Sequence, residues 1–366
     1  MIYEFFRGLY SNWHPYFGVL PENFNTPMFW SDEELDVLQA SHVRGKIGKD
    51  EAEEMFRAKI LPIIRSHADV FANAQACSDN QLIALAHRMG STIMAYAFDL
   101  ENDEGNEEEN EDEEWVEDRD GKTMMGMVPM ADMLNADAEF NAHINHGDDS
   151  LTATALREIK AGEEILNYYG PLPNSELLRR YGYVTEKHSR YDVVEIPWVL
   201  VEEGLAEQLG VSVELIESVR REMDEDELED TFVLERESGE PNSDGTFATP
   251  AQVTEMPGDL REQLKDFLKA TKKIQPDWFP DKRKRDEVQQ AVLAKTLQKL
   301  QVRYQTTAVE DALLLQQPHV SERTRMAVKV RLGEKQLLQE ARAMIESLAN
   351  ANTDEESSNK RARTAA

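Results

Sequence analysis

Long stretches of three- and four-residue apolar spacing flank one short block of alternating, turn-rich sequence, and that order restricts the folds open to this chain. Residues 49–64 put Ala52, Met55, Phe56, Ile60 and Ile63 on one helical face, and residues 81–98 do the same with Leu82, Leu85, Ala86, Met89, Ile93, Met94 and Ala97. Further on, residues 285–304 align Val288, Val292, Leu293, Leu297, Leu300 and Tyr304, and residues 335–348 align Leu338, Ala341, Met344, Ile345 and Leu348. Between these pairs the period changes. Residues 151–156 alternate Leu, Thr, Ala and Thr as a strand would, residues 160–163 read as a Lys-Ala-Gly-Glu turn, and residues 164–169 hold the β-formers Ile165, Tyr168 and Tyr169. A helix is expected from Asn174, as its cap, to Tyr181, stopped by Gly182. Ser31 with Glu34 three positions on predicts a capping box. Short strands set among helices argue for an α+β fold rather than a parallel βαβ sheet.

Composition narrows the class. The 366 residues suggest two domains at roughly 150 residues each. The apolar set makes up 40% of the chain, enough for a sizeable core. No stretch approaches the ~18 uninterrupted apolar residues of a membrane span, and Glu4 and Arg7 interrupt the apolar start, so neither a membrane span nor a secretory signal is expected. Cys77 is the only cysteine, which excludes an intramolecular disulfide and a multi-cysteine zinc cluster; it is expected as an inert core thiol. The net charge of −31 repels nucleic-acid phosphates and attracts basic partners. Residues 101–120 hold thirteen acids against Arg119 alone, a solvated loop or a device for steering a cationic substrate. Residues 238–257 are rich in Gly, Pro, Asn and Thr and read as loop, and the polar residues 350–366 as a disordered tail.

Generic catalytic motifs are missing: there is no Gly-rich phosphate loop, nucleophile elbow or HExxH. His143 and His146 lie three apart with no further ligands at metal spacing, so they read as loop or strand polarity and no metal is expected. What stands out is residues 128–183. Here VPMADMLNADAEFNAH, with Asn135 and Asn141 six apart, is followed by a Gly-Glu-Glu turn, Tyr168-Tyr169-Gly170 and Tyr181-Gly182-Tyr183. In that order the pattern resembles the C-terminal half of the SET domain of protein-lysine methyltransferases. MAYAF at residues 94–98 ahead of the acidic run is similar to the subgroup related to Rubisco large-subunit methyltransferase, within which the chain most resembles the fungal ribosomal lysine methyltransferase branch (type 4). LQVRYQTTAVEDALLL at residues 300–315 and RMAVKVRLGEKQLL at residues 325–338 resemble that subgroup's helical substrate-binding domain.

The resemblance implies a SET domain at residues 1–190, made of a helical insert (1–100), the acidic loop (101–122) and the C-terminal half with its pseudoknot (123–190). It also implies an all-helical substrate-binding domain at residues 191–349. It implies S-adenosylmethionine as cofactor and methylation of a lysine on a basic protein, a large-subunit ribosomal protein, by a monomer that contacts no nucleic acid or membrane directly. Tyr169 matches the catalytic tyrosine. Tyr96, Asn135, Ala136 and Tyr181 would touch the cofactor, Asp132 would face the lysine channel, and the Asn141 amide would hold the pseudoknot. Tyr168 alternates to the other face of its strand and is expected in the core. Where the family has Asn-His this chain has Asn135-Ala136. Nothing before Tyr3 corresponds to the family's Gly-rich strand pair, so the chain is expected to start inside the insert, with Met1 an internal methionine of a longer protein. The rival reading is a catalytically incomplete SET fragment that binds basic protein segments. Lys282-Arg283-Lys284-Arg285 and Lys360-Arg361-Ala362-Arg363 resemble nuclear-import patches, which predicts residence in nucleus and cytoplasm.

Overall fold

The computed structural model describes all residues except 102–122, 148–149, 222, 224–227, 276–277, 279–280 and 365–366. Beyond Glu101, the acidic run therefore lies outside the described residues. The first part of the chain is helical, with α1 Ile2–Arg7, α2 His14–Phe17, α3 Asp32–Asp36, α4 Lys49–Met55, α5 Leu61–Ser66 and α6 Asp79–Tyr96. Ser31 caps α3 as expected: its hydroxyl accepts the Glu34 N–H at 3.3 Å, and the Glu34 carboxylate accepts the Ser31 N–H at 2.9 Å. Residues 49–64 are helical, but a π turn at Phe56–Ile60 separates α4 from α5. The wider turn shifts the apolar face. Met55 and Ile63, expected inside, are exposed, and Leu61 and Ile64 are buried instead.

Helix α6 ends at Tyr96, short of the expected Phe98, because the next residues pair as a strand. β1 (Ala97–Glu101) runs antiparallel to β2 (Thr123–Met127). Next come β3 Asn135–Ala136, β4 Ala142–Gly147, β5 Ser150–Ala155 and β6 Leu166–Asn167. β4 and β5 form an antiparallel hairpin with Ala142 opposite Ala155, which matches the strand read at residues 151–156. The second expected strand, residues 164–169, contracts to β6 and pairs in parallel with β3, Asn135 opposite Leu166 and Ala136 opposite Asn167. Helix α7 Asn174–Tyr181 has the expected bounds and stops at Gly182, whose φ is +76°. A Cβ there would also stand 2.9 Å from the Asn25 carbonyl carbon, so glycine is required twice over. The cap differs from expectation: Pro173 occupies it, and the Asn174 side chain instead accepts the Thr185 N–H at 2.9 Å.

The remainder holds β7 Val194–Pro197, α8 Trp198–Leu209, α9 Val213–Arg220, β8 Thr231–Leu234, α10 Gly258–Ile274, α11 Lys282–Val302, α12 Ala308–Leu315 and α13 Glu322–Thr364. It is not all-helical: β7 and β8 pair antiparallel, driven by the β-formers of Thr231–Leu234. Nor does the polar tail form the expected unstructured end over residues 350–364. No Pro or Gly interrupts it, and α13 continues to Thr364. One large core joins these elements around Trp198, Leu264, Phe267, Val292, Leu297 and Leu338, all nearly inaccessible to solvent. A smaller core of Trp30, Leu38, Val43, Leu178, Met326, Ala327 and Val330 fastens α13 to the N-terminal helices and to α7.

The loop read at residues 238–257 straps the helical part onto the strand block. The Gly245 carbonyl accepts the Phe140 N–H at 3.1 Å, and at φ +78° a Cβ on Gly245 would stand 2.1 Å from the Phe140 oxygen. The Arg190 guanidinium lies 3.2 Å from the Phe247 ring centroid and donates to the Ser238 carbonyl at 2.6 Å.

Candidate active site

The site is built where β3 and β6 run side by side. A 3-10 turn, Ala131–Met133, leads into β3, and it starts from Met130 at φ +81°, a conformation a non-glycine residue adopts only under constraint. This turn leaves Asp132 half-buried between the exposed Met130 and Met133. Just beyond β6 the Tyr169 hydroxyl donates to the Leu134 carbonyl at 2.6 Å. The Tyr169 ring lies 4.9 Å from that of Tyr181, at the end of α7, and Tyr183 donates to the Ala136 carbonyl at 3.1 Å. Burial pushes the Tyr169 phenol above its ordinary range, and the neighbouring Tyr181, Tyr96 and Asp132 push it further. Burial and then Asp132 raise Tyr96 in the same way. The phenols therefore stay protonated at neutral pH.

Tyr168 faces the other way. Its ring stacks on Phe140 at 4.8 Å and its hydroxyl meets that of Tyr191 at 3.2 Å, within the packing beneath the strap. Asn141 is buried and fully engaged. Its amide nitrogen donates to the Glu164 carbonyl at 2.8 Å, its amide oxygen accepts the Leu166 N–H at 2.8 Å, and its own N–H donates to the Leu166 carbonyl at 3.1 Å. These bonds tie the entry of β4 to the segment that becomes β6. The adjoining turn is closed by Glu163, which accepts the Lys160 N–H at 3.1 Å and pairs with Arg157 at 2.7 Å, contacts that pull its carboxyl down to about 2.

The structure thus gathers Asp132, Tyr169 and Tyr181 about the Leu134–Ala136 segment, with Tyr96 near enough to Asp132 and Tyr169 to interact electrostatically. The Asn135 side chain stands apart on the exposed side of β3, where it donates to Glu164 at 2.7 Å, while Ala136 is buried. Sequence reasoning missed Tyr16, whose hydroxyl donates to the Asp132 carboxylate from α2, and Tyr183. No local spacing signals Tyr16, because the partners lie 116 residues apart. His143 and His146 are both exposed but lie on opposite faces of β4, and among the described residues no three His, Cys, Asp or Glu side chains are grouped to hold a metal. Cys77 is half-buried at the edge of the core formed by Leu61, Ile64, Ala74, Leu82 and Ile83, rather than enclosed in it.

Comparison with known proteins identifies the domains that carry these residues. The SET domain profile matches residues 26–170, and the Rubisco LSMT substrate-binding profile matches residues 207–338. Ribosomal lysine N-methyltransferase 4 of Saccharomyces cerevisiae is 38% identical over 214 residues, covering 57% of this chain and 42% of that protein. The human N-lysine methyltransferase SETD6 is 28% identical over 359 residues, covering 90% of this chain and 69% of that protein. The chain spans less than half the length of the yeast protein and of the Xenopus laevis setd6 it matches. A crystal structure of the SET domain of LSMT bound to lysine and AdoHcy superposes with a TM-score of 0.58 at 19% identity, over 94% of this chain and 73% of that one, a likeness of fold. The two profiles thus identify a SET domain followed by a Rubisco LSMT-type substrate-binding domain in this chain, and the superposition shows the matching fold.

Proposed function

We propose that the protein is an S-adenosylmethionine-dependent protein-lysine methyltransferase acting on a basic large-subunit ribosomal protein. The observation that carries the reading is the Tyr169 hydroxyl, held on the Leu134 carbonyl among Asp132, Tyr96 and Tyr181. S-adenosylmethionine, when bound, supplies a methyl group on a cationic sulfonium. Methyl transfer needs a neutral amine delivered in line, about 3–3.5 Å from that methyl. The surrounding residues suit that task. A phenol that stays protonated and spends its proton on Leu134 keeps its oxygen lone pairs for an amine N–H, so Tyr169 orients the nucleophile. The Asp132 carboxylate and the ring faces attract a lysine ammonium, and the sulfonium charge of the bound cofactor together with partial burial would favour loss of its proton against that carboxylate.

Tyr181, the Ala136 main chain and Tyr96 are the groups assigned to the cofactor. Because the Asn135 amide is engaged by Glu164, Asn135 contributes through its backbone. The ribosomal substrate is supported by the name of the yeast relative and by the net charge of −31, which favours basic partners. The test is to incubate the chain with methyl-labelled S-adenosylmethionine and separated large-subunit ribosomal proteins, then map the label by mass spectrometry. Label on a lysine of one such protein is the expected result. Binding of basic segments with no transfer would overturn it in favour of a binding module.

A further inference from the structure

We propose that Tyr16 is a positioning residue for the incoming lysine: its hydroxyl fixes the Asp132 carboxylate so that the remaining carboxylate oxygen faces the channel. This inference rests on the function proposed above. Among the described residues no cation pairs with Asp132, and only Oδ2 is met by a donor, the Tyr16 hydroxyl. A half-buried carboxylate without a counter-charge is costly to keep unless a ligand supplies that charge. Its other close neighbours are the phenols of Tyr96 and Tyr169, which burial keeps neutral. The missing complement is therefore cationic, and an alkylammonium fits the combination of one carboxylate oxygen and aromatic rings.

Tyr16 does not compete for that role. Burial and the Asp132 contact push its phenol up, so it remains a donor and never adds a second negative charge at neutral pH. Its ring is held in place by the Trp13 edge at 6.1 Å, and the neighbouring Phe17 packs on Phe5 at 6.0 Å. An aspartate carboxylate otherwise rotates over a broad torsional range. With Oδ2 tied down, Oδ1 keeps one direction.

The experiment compares the chain with Tyr16→Phe, which retains the ring and the Trp13 contact. Binding of a labelled peptide with a single central lysine is followed by fluorescence anisotropy, alongside kcat and KM for its methylation. Loss of one hydrogen bond to a charged group should weaken peptide binding and raise KM about tenfold, with kcat within about twofold. The same peptide with norleucine for lysine has no ammonium and should bind both chains equally. In an Asp132→Asn background, Tyr16→Phe should add almost nothing. An unchanged KM in Tyr16→Phe, an equal loss for the norleucine peptide, or full additivity with Asp132→Asn would overturn the inference while leaving methyl transfer intact. A parent chain that neither binds the lysine peptide nor methylates it would overturn the proposed function, and this inference with it.

Discussion

Tyr168 and Tyr169 are adjacent and chemically identical, yet the chain leaving β6 sends one under the strap to Phe140 and Tyr191 and the other to Leu134 and Tyr181, as the alternation of the expected strand required. That split was legible in the sequence, because a period of two needs only neighbouring residues. It also gives a matched pair of substitutions. Tyr169→Phe removes the hydroxyl proposed to orient the amine but keeps the ring, so single-turnover methyl transfer should fall about a hundredfold, some 2.7 kcal/mol of transition-state stabilisation. Tyr168→Phe should retain nearly full activity per folded molecule. Loss of transfer in Tyr168→Phe with Tyr169→Phe unaffected would contradict the assignment. Asn141 was legible only through the family resemblance, since its bonds reach Glu164 and Leu166, 23 and 25 residues on. Tyr16 and Tyr183 were not: they reach Asp132 and Ala136 across 116 and 47 residues, and nothing in their own neighbourhood encodes the partner.

At the scale of elements, helices announced by apolar periodicity form where expected, and the departures have local causes. The π turn at Phe56–Ile60 moves the buried face of α5, and pairing with β2 ends α6 early. A less visible device sits in α12 and α13. Residues 335–348 present an apolar stripe, yet Lys335 at its start is almost fully buried. Asp311 accepts from Lys335 at 2.5 Å and from Arg331 at 2.6 and 3.1 Å, while Arg331 also donates to the Val37 carbonyl. Burial pushes the Asp311 carboxyl up, and the hydrogen bonds from Arg331 and Lys335 outweigh it, leaving the group below its usual range. The cluster therefore locks α12 and α13 to each other and to the residues that follow α3. Asp311→Ala would strand two buried cations and should cost about 3–5 kcal/mol in denaturant unfolding. A loss below about 1 kcal/mol would show that the cluster does not hold these elements together.

For the whole molecule, the change of period along the chain foretold an α+β part followed by a helical part. It did not foretell that the two are fastened together by α13, by the core around Trp30 and Leu178, and by the strap that returns to Phe140. Those contacts join residues far apart in sequence, so no local pattern carries them. They hold the helical part on the strand block, with the strap meeting Phe140, the ring on which Tyr168 rather than Tyr169 stacks. The most direct test of the site where Asp132, Tyr169 and Tyr181 converge is photo-crosslinking of methyl-labelled S-adenosylmethionine to the chain, with peptide mapping and competition by S-adenosylhomocysteine. Displaceable label is expected in the peptides that contain Asn135 and Ala136 and in the one that contains Tyr181. Displaceable label confined to the helical part beyond Val194, or none anywhere, would contradict the proposed cofactor assignment.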